Sequence, residues 1–111
     1  DSLVRHVTRA AFAYRAADSD LELSIRTRLL AALPGIGVPV ASAILALVEP
    51  GRYCVVDFRG WRAVFGEERR HFSTRDYRRY RAAIAKLAAK LEWSIQETDS
   101  VVWEYDRRRS A

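Results

Sequence analysis

The chain contains no methionine, one cysteine, two histidines and three prolines in 111 residues. Each scarcity excludes something. Cys54 alone forms no internal disulfide, and with only His6 and His71 beside it no zinc site can be assembled. A reducing, cytoplasmic setting is the expectation. The missing methionine implies that the natural N-terminus lies upstream of residue 1. No stretch reads as a signal peptide. No repeat, low-complexity tract or linker divides the chain, so a single helical domain over residues 1–111 is expected.

A long apolar run is nearly present. Residues 29–48 carry no charge, which is the length of a membrane span. Pro34, Gly35, Gly37 and Pro39 interrupt its middle, and charged segments flank it. It reads as two short helices folded back on each other, with no membrane partner. Acidic residues are the other shortage. The formal charge is +5, and residues 58–95 hold ten Arg or Lys against four Asp or Glu. Such a local excess suits an anionic partner.

What remains is helical periodicity. Leu3, Val7, Ala10, Ala11 and Tyr14 share one face of a first helix running to Ala17. Ser19 and Glu22 have capping-box spacing ahead of a second, with Leu21, Ile25, Leu29 and Leu33 as its inward stripe. A third, from about Val40 to Val48, is apolar throughout and expected to be well buried. Glu49-Pro50-Gly51 is a turn, and Tyr53 to Val56 reads as a buried extended connector with no second strand to pair with. Asp57 stands at an N-cap position and Gly66 at a stop.

Ser73 and Asp76 open the longest helix, which ends near Leu91. Tyr77, Ile84, Leu87 and Leu91 fall on one side of it, and Arg75, Arg78, Arg79, Lys86 and Lys90 on the other. The latter is either a solvated face or a phosphate-binding stripe. Ser94 and Glu97 cap a final helix with Val101, Val102, Trp103 and Tyr105. Phe58, Trp61, Tyr80, Trp93 and Trp103 are expected in the core. The fold class is all-α, compact and multi-helical.

The sharpest local signal is Leu33-Pro34-Gly35-Ile36-Gly37 between two apolar helices. Two glycines so placed allow positive φ and close backbone approach, and the amides that follow open a helix whose dipole favours an anion. Gly35, Ile36, Gly37 and Val38 are therefore candidate phosphate contacts, with Arg59, Arg62, Arg75, Arg78 and Arg79 as candidate cations. The plain alternative is a tight helix–helix corner with nothing bound.

Residues 33–62 resemble the helix-hairpin-helix core of the endonuclease III-like DNA glycosylase superfamily. The likeness rests on the hairpin Leu33 to Gly37 and on Val56-Asp57, with Gly37 and Asp57 twenty residues apart. It is closer to small uncharacterised bacterial proteins with such a hairpin, an Asp-(Phe/Thr)-Arg element and a C-terminal Asp-x-x-(Leu/Val)-Trp-x-Tyr, here Asp99 to Tyr105. The resemblance implies a helix-hairpin-helix over about 20–48, DNA as partner, and Asp57 in the place of the catalytic aspartate of a repair glycosylase. It also implies a monovalent cation on the hairpin carbonyls, with no other cofactor. Where bifunctional members carry a lysine nucleophile this chain has Pro39, so any activity would be monofunctional N-glycosylase without lyase chemistry. Three functions remain open: a backbone-binding DNA module that is not catalytic alone, such a glycosylase, and a degenerate hairpin domain that contacts protein.

Overall fold

The computed structural model describes residues 2–110. It is all-helical, with no strand among those residues: α1 (Ser2–Ala13), α2 (Ser19–Ala31), α3 (Val38–Val48), α4 (Phe58–Phe65), α5 (Thr74–Leu91) and α6 (Ile95–Ser110). None of these helices is long and apolar enough to cross a membrane. The uncharged run divides as its breakers require, with α2 ending at Ala31 and α3 opening at Val38, two residues earlier than expected.

Local chemistry sets most boundaries. Ser73 and Asp76 form the expected reciprocal capping box at the head of α5. Ser94 and Glu97 exchange the same pair of bonds ahead of α6. Gly66 closes α4 in the left-handed conformation, φ 71°. Two starts and stops differ from the reading above. The first helix ends at Ala13 rather than Ala17, because the Phe12 and Tyr14 carbonyls turn toward the guanidinium of Arg26. Asp18, not Ser19, caps α2, its carboxylate accepting from the amides of Asp20 and Leu21. Glu22 is thereby released from any capping duty and lies buried.

The core draws on every helix except α6's outward face, with Trp61, Tyr53, Tyr77, Tyr80, Leu23, Leu30, Leu45 and Ile84 fully enclosed. The connector Tyr53 to Val56 is neither helix nor strand and is buried, as expected, with Val55 half-buried. Its Val56 amide donates to Ser42 Oγ of α3 at 3.0 Å, and Tyr77 Oη donates to the Cys54 carbonyl at 2.8 Å. Burial pushes the Cys54 thiol and the Tyr77 phenol well above their ordinary values.

The inward face of α2 keeps only part of the expected stripe: Leu33 is buried, Leu29 packs against the core and Ile25 is half-buried. Leu23, Arg26, Thr27 and Leu30 are buried, whereas Leu21 is exposed. Arg26 is the reason for the rotation. Its guanidinium reaches the carbonyls of Phe12 and Tyr14, the Glu49 carboxylate and Tyr53 Oη. Arg52 joins Glu22 and Glu49 to the same network, and Glu22 also accepts the Ala16 amide at 2.8 Å. Burial raises Glu22, but the Ala16 amide, Arg52 and Arg26 together hold it below its usual value. A buried charge so fully partnered can outcompete a leucine for the interior.

Other apolar expectations also shift outward. The far end of α3 is exposed at Leu47 and Val48, as is Val40 near its start. Trp93 and Trp103, Leu91, Val101 and Tyr105 are exposed as well, and Phe58 is only half-buried. A domain this small has too little interior to enclose all its large side chains.

Candidate functional site

The segment joining α2 to α3 is built by its prolines and glycines. Ile36 N donates to the Leu33 carbonyl at 3.1 Å, closing a four-residue turn with Pro34 second and Gly35 third. Gly35 has φ +80°, the value that a type II turn demands at its third position. Leu33 is buried and Ile36 packs against the core, so the two side chains fill the space between the helices. Pro34, Gly35 and Gly37 face solvent.

Gly37 plays a different part from the one expected. Its φ is −95° and ψ −176°, ordinary extended backbone, so positive φ is not what places a glycine there. It is the N-cap of α3 and offers no side-chain cap. A Cβ there would touch only Pro39 Cδ at 3.8 Å, so the ground above the helix start is open. The Val38 amide is the first of the helix, Pro39 contributes none, and Val40 contributes the next.

The candidate cations separate into two groups. Arg62 lays its fork across Asp106 at 2.8 and 2.7 Å and also reaches Glu68 at 2.7 Å and Ser110 at 2.8 Å. These hydrogen bonds raise its pKa and hold Asp106 low. Arg59 pairs with Asp106 at 3.4 Å and lies over the rings of Phe58 and Trp103. Both residues tie α4 to α6, and neither forms an ion pair with Asp57. On α5, by contrast, Arg75, Arg78, Lys86 and Lys90 are exposed and make no ion pair among the described residues. Arg79 is exposed too, its guanidinium over Trp61 and Phe65 at 5.6 and 5.0 Å.

Asp57 caps α4 as expected, accepting the Gly60 amide at 2.8 Å. It also lines a cleft of about 470 Å³ with Val55, Asp99, Ser100, Trp103 and Glu104. Burial raises the Asp57 carboxyl, against the opposing pull of the Gly60 amide, Trp103 and Arg59. Asp99 is raised by burial and by the charge of Asp57, while it accepts Tyr80 Oη at 2.6 Å and the Val55 amide at 2.8 Å. A carboxylate raised in this way is a better proton acceptor than an exposed one. Among the described residues no three His, Cys, Asp or Glu side chains are grouped to hold a metal.

Asp99 and Trp103 were not recognised as site residues in the sequence. Their i, i+4 spacing on α6 was the available signal, since it puts both on one helical face. Gly60 was equally silent. Tyr80 Oη lies 2.1 Å from where its Cβ would stand, so only glycine lets that hydroxyl through to Asp99. No protein-family model matches the chain, and neither a curated protein nor a solved structure does.

Proposed function

We propose that the chain is a helix-hairpin-helix domain that grips DNA through the phosphate backbone, akin to the core of base-excision glycosylases and not catalytic on its own. The observation that carries this reading is the start of α3. It is an exposed helix N-terminus whose cap is a glycine without a side-chain bond, beneath open space. Phosphate oxygens would take the Val38 and Val40 amides that a Ser or Asp cap would otherwise occupy. The exposed cations of α5 supply the long-range attraction, which is independent of base sequence. Arg59 and Arg62 contribute less than their position suggests, because Asp106 pairs with both and Glu68 with Arg62. The Leu33 carbonyl keeps one lone pair beyond its bond to Ile36, and with the other turn carbonyls it would hold a monovalent cation.

The decisive variant is Gly37→Asp. Asp is a favoured N-cap, so it should hold α3 as well as Gly37 does or better by about 0.3 kcal/mol, while setting a carboxylate where phosphate would sit. Duplex affinity should collapse with the fold intact. Affinity of the unaltered chain should fall steeply with salt and vary little with sequence. Changing Arg75, Arg78 and Arg79 to Ala should flatten the salt slope by up to about three. Absence of duplex binding at about 50 mM salt, or full binding by Gly37→Asp, would overturn the proposal in favour of a protein-contacting hairpin.

One observation favours a second reading, a monofunctional glycosylase. Asp57 faces a cleft with a raised carboxyl, suited to stabilising a sugar cation and orienting water as a base departs. Base release from uracil-, alkyl- or oxoguanine-containing duplexes, lost in a folded Asp57→Asn, would establish it. Strand cleavage is not expected, since Pro39 replaces the lysine that it needs.

A further inference from the structure

The proposed DNA contacts leave α1 unused, and α1 carries positive charge without any acidic residue. From Ser2 to Ala17 there is no carboxylate, while Arg5, His6, Arg9 and Arg15 are basic or titratable. The helix also has more apolar surface than the core takes. Val4, Thr8 and Phe12 form an i, i+4, i+8 row, and Arg5 and Arg9 form the adjacent i, i+4 row. Together with Val48 from the end of α3 they line one open groove of about 540 Å³. Within it Val48 is 54% exposed and Val4 45%. Two elements distant in sequence thus bring their uncovered apolar residues to one place. Arg5 and Arg9 are exposed along its edge and form no ion pair among the described residues.

We infer that this groove docks an acidic amphipathic helix of a partner protein. The floor takes an apolar stripe, and the Arg5–Arg9 rail takes carboxylates spaced one turn apart on the stripe's edge. Charge complementarity selects this occupant over the others. A second copy of the chain in two-fold pairing would set the arginine rail against itself. A nucleic acid would satisfy the rail and leave the apolar floor uncovered.

The test is selection from a display library of amphipathic helices about five turns long, with randomised residues flanking a constant apolar stripe. Selected peptides should carry Glu or Asp at i, i+4 along one edge. By fluorescence anisotropy their affinity should drop at least about tenfold in Val48→Asp. The pair Arg5→Glu with Arg9→Glu should invert the preference toward Lys-flanked peptides. All three positions are exposed, so circular dichroism should report unchanged folding. Several results would overturn the inference: selected peptides that are basic or indifferent to charge, binding unmoved by Val48→Asp, and displacement of the peptide by duplex DNA or by phosphatidylserine vesicles. A dimer in sedimentation that Val48→Asp dissolves would overturn it equally, in favour of self-association.

Discussion

Arg26 and Arg75 are the same residue in opposite circumstances. Arg26 has no exposed surface and meets two carbonyls, two carboxylates and a phenol from α1, α2, the end of α3 and the connector. Arg75 stands on the outer face of α5 without an ion pair among the described residues. Around Arg26 the chain balances its charges, Glu22 and Glu49 against Arg26 and Arg52. On α5, Arg75, Arg78, Lys86 and Lys90 meet no carboxylate within ion-pair distance among the described residues. A count of basic residues treats both regions alike. Whether a cation holds the fold together or awaits a ligand depends on which carboxylates the tertiary structure brings to it.

The sharpest way to break that contrast is Arg26→Ala. Removing one partner of a buried ion network should cost about 3–5 kcal/mol in urea unfolding, since Glu49 and the carbonyls of Phe12 and Tyr14 lose their donor. A loss below about 1 kcal/mol would mean that the network is incidental.

Acid should act on the same junction next. Glu22 and Asp106 have folded values below their unfolded ones. Their stabilisation is therefore present above the unfolded carboxylate range of about 4 and is lost as pH falls through the lower folded values. Asp57 and Asp99 are raised and carry the opposite sign, so protonating them favours the fold. Urea midpoints measured against pH should fall on the acid side, less steeply in Glu22→Gln. An acid limb unchanged by that substitution would remove Glu22 from the account.

Gly60→Ala probes the other packed junction. Helix propensity alone would make this change favourable. The new Cβ would instead meet Tyr80 Oη at 2.1 Å and Cζ at 2.9 Å, so a net loss of about 1–3 kcal/mol is expected. Tyr80→Phe should relieve part of it, and the double-mutant cycle should show coupling of at least about 0.5 kcal/mol. Additive losses would separate the two residues.

Smaller still is Asp57→Ala, at about 1 kcal/mol for a lost cap, with Asp57→Asn near neutral. Equal losses for the two would show that the negative charge, not the cap, matters to folding. At the far end of the scale, Arg75→Ala and Arg78→Ala should each change stability by less than about 0.5 kcal/mol. A larger loss would show that these cations have an internal task, and the contrast with Arg26 would narrow.

The helices were largely legible in the sequence because helix signals are local. The Ser73–Asp76 and Ser94–Glu97 boxes, the Asp57 cap, the Gly66 stop and the Pro34-Gly35 turn each act within about one turn of chain. The all-α class follows from them. The same locality explains the errors. Ser19 and Glu22 satisfy a capping-box spacing as well as the two true boxes do, and nothing nearby reveals that Glu22 answers to Arg52, thirty residues on. The α2 stripe was assigned by hydrophobicity, and a fully partnered arginine displaced part of it.

At the candidate site, the turn glycines and Asp57 could be named from sequence because their spacing is itself the signal. Asp99 and Trp103 stand in the Asp99-to-Tyr105 pattern without a role it reveals, and Gly60 gives no signal, since their roles arise only where the connector, α4, α5 and α6 meet. Sequence by itself determined where the backbone turns and where helices begin, for those choices rest on φ, ψ and hydrogen bonds between near neighbours. Tertiary structure alone decided which charges are neutralised, which apolar side chains stay uncovered and which carboxylates share a cleft. Burial and Coulomb energies depend on what stands within a few ångströms in space, and most of those neighbours lie tens of residues away along the chain.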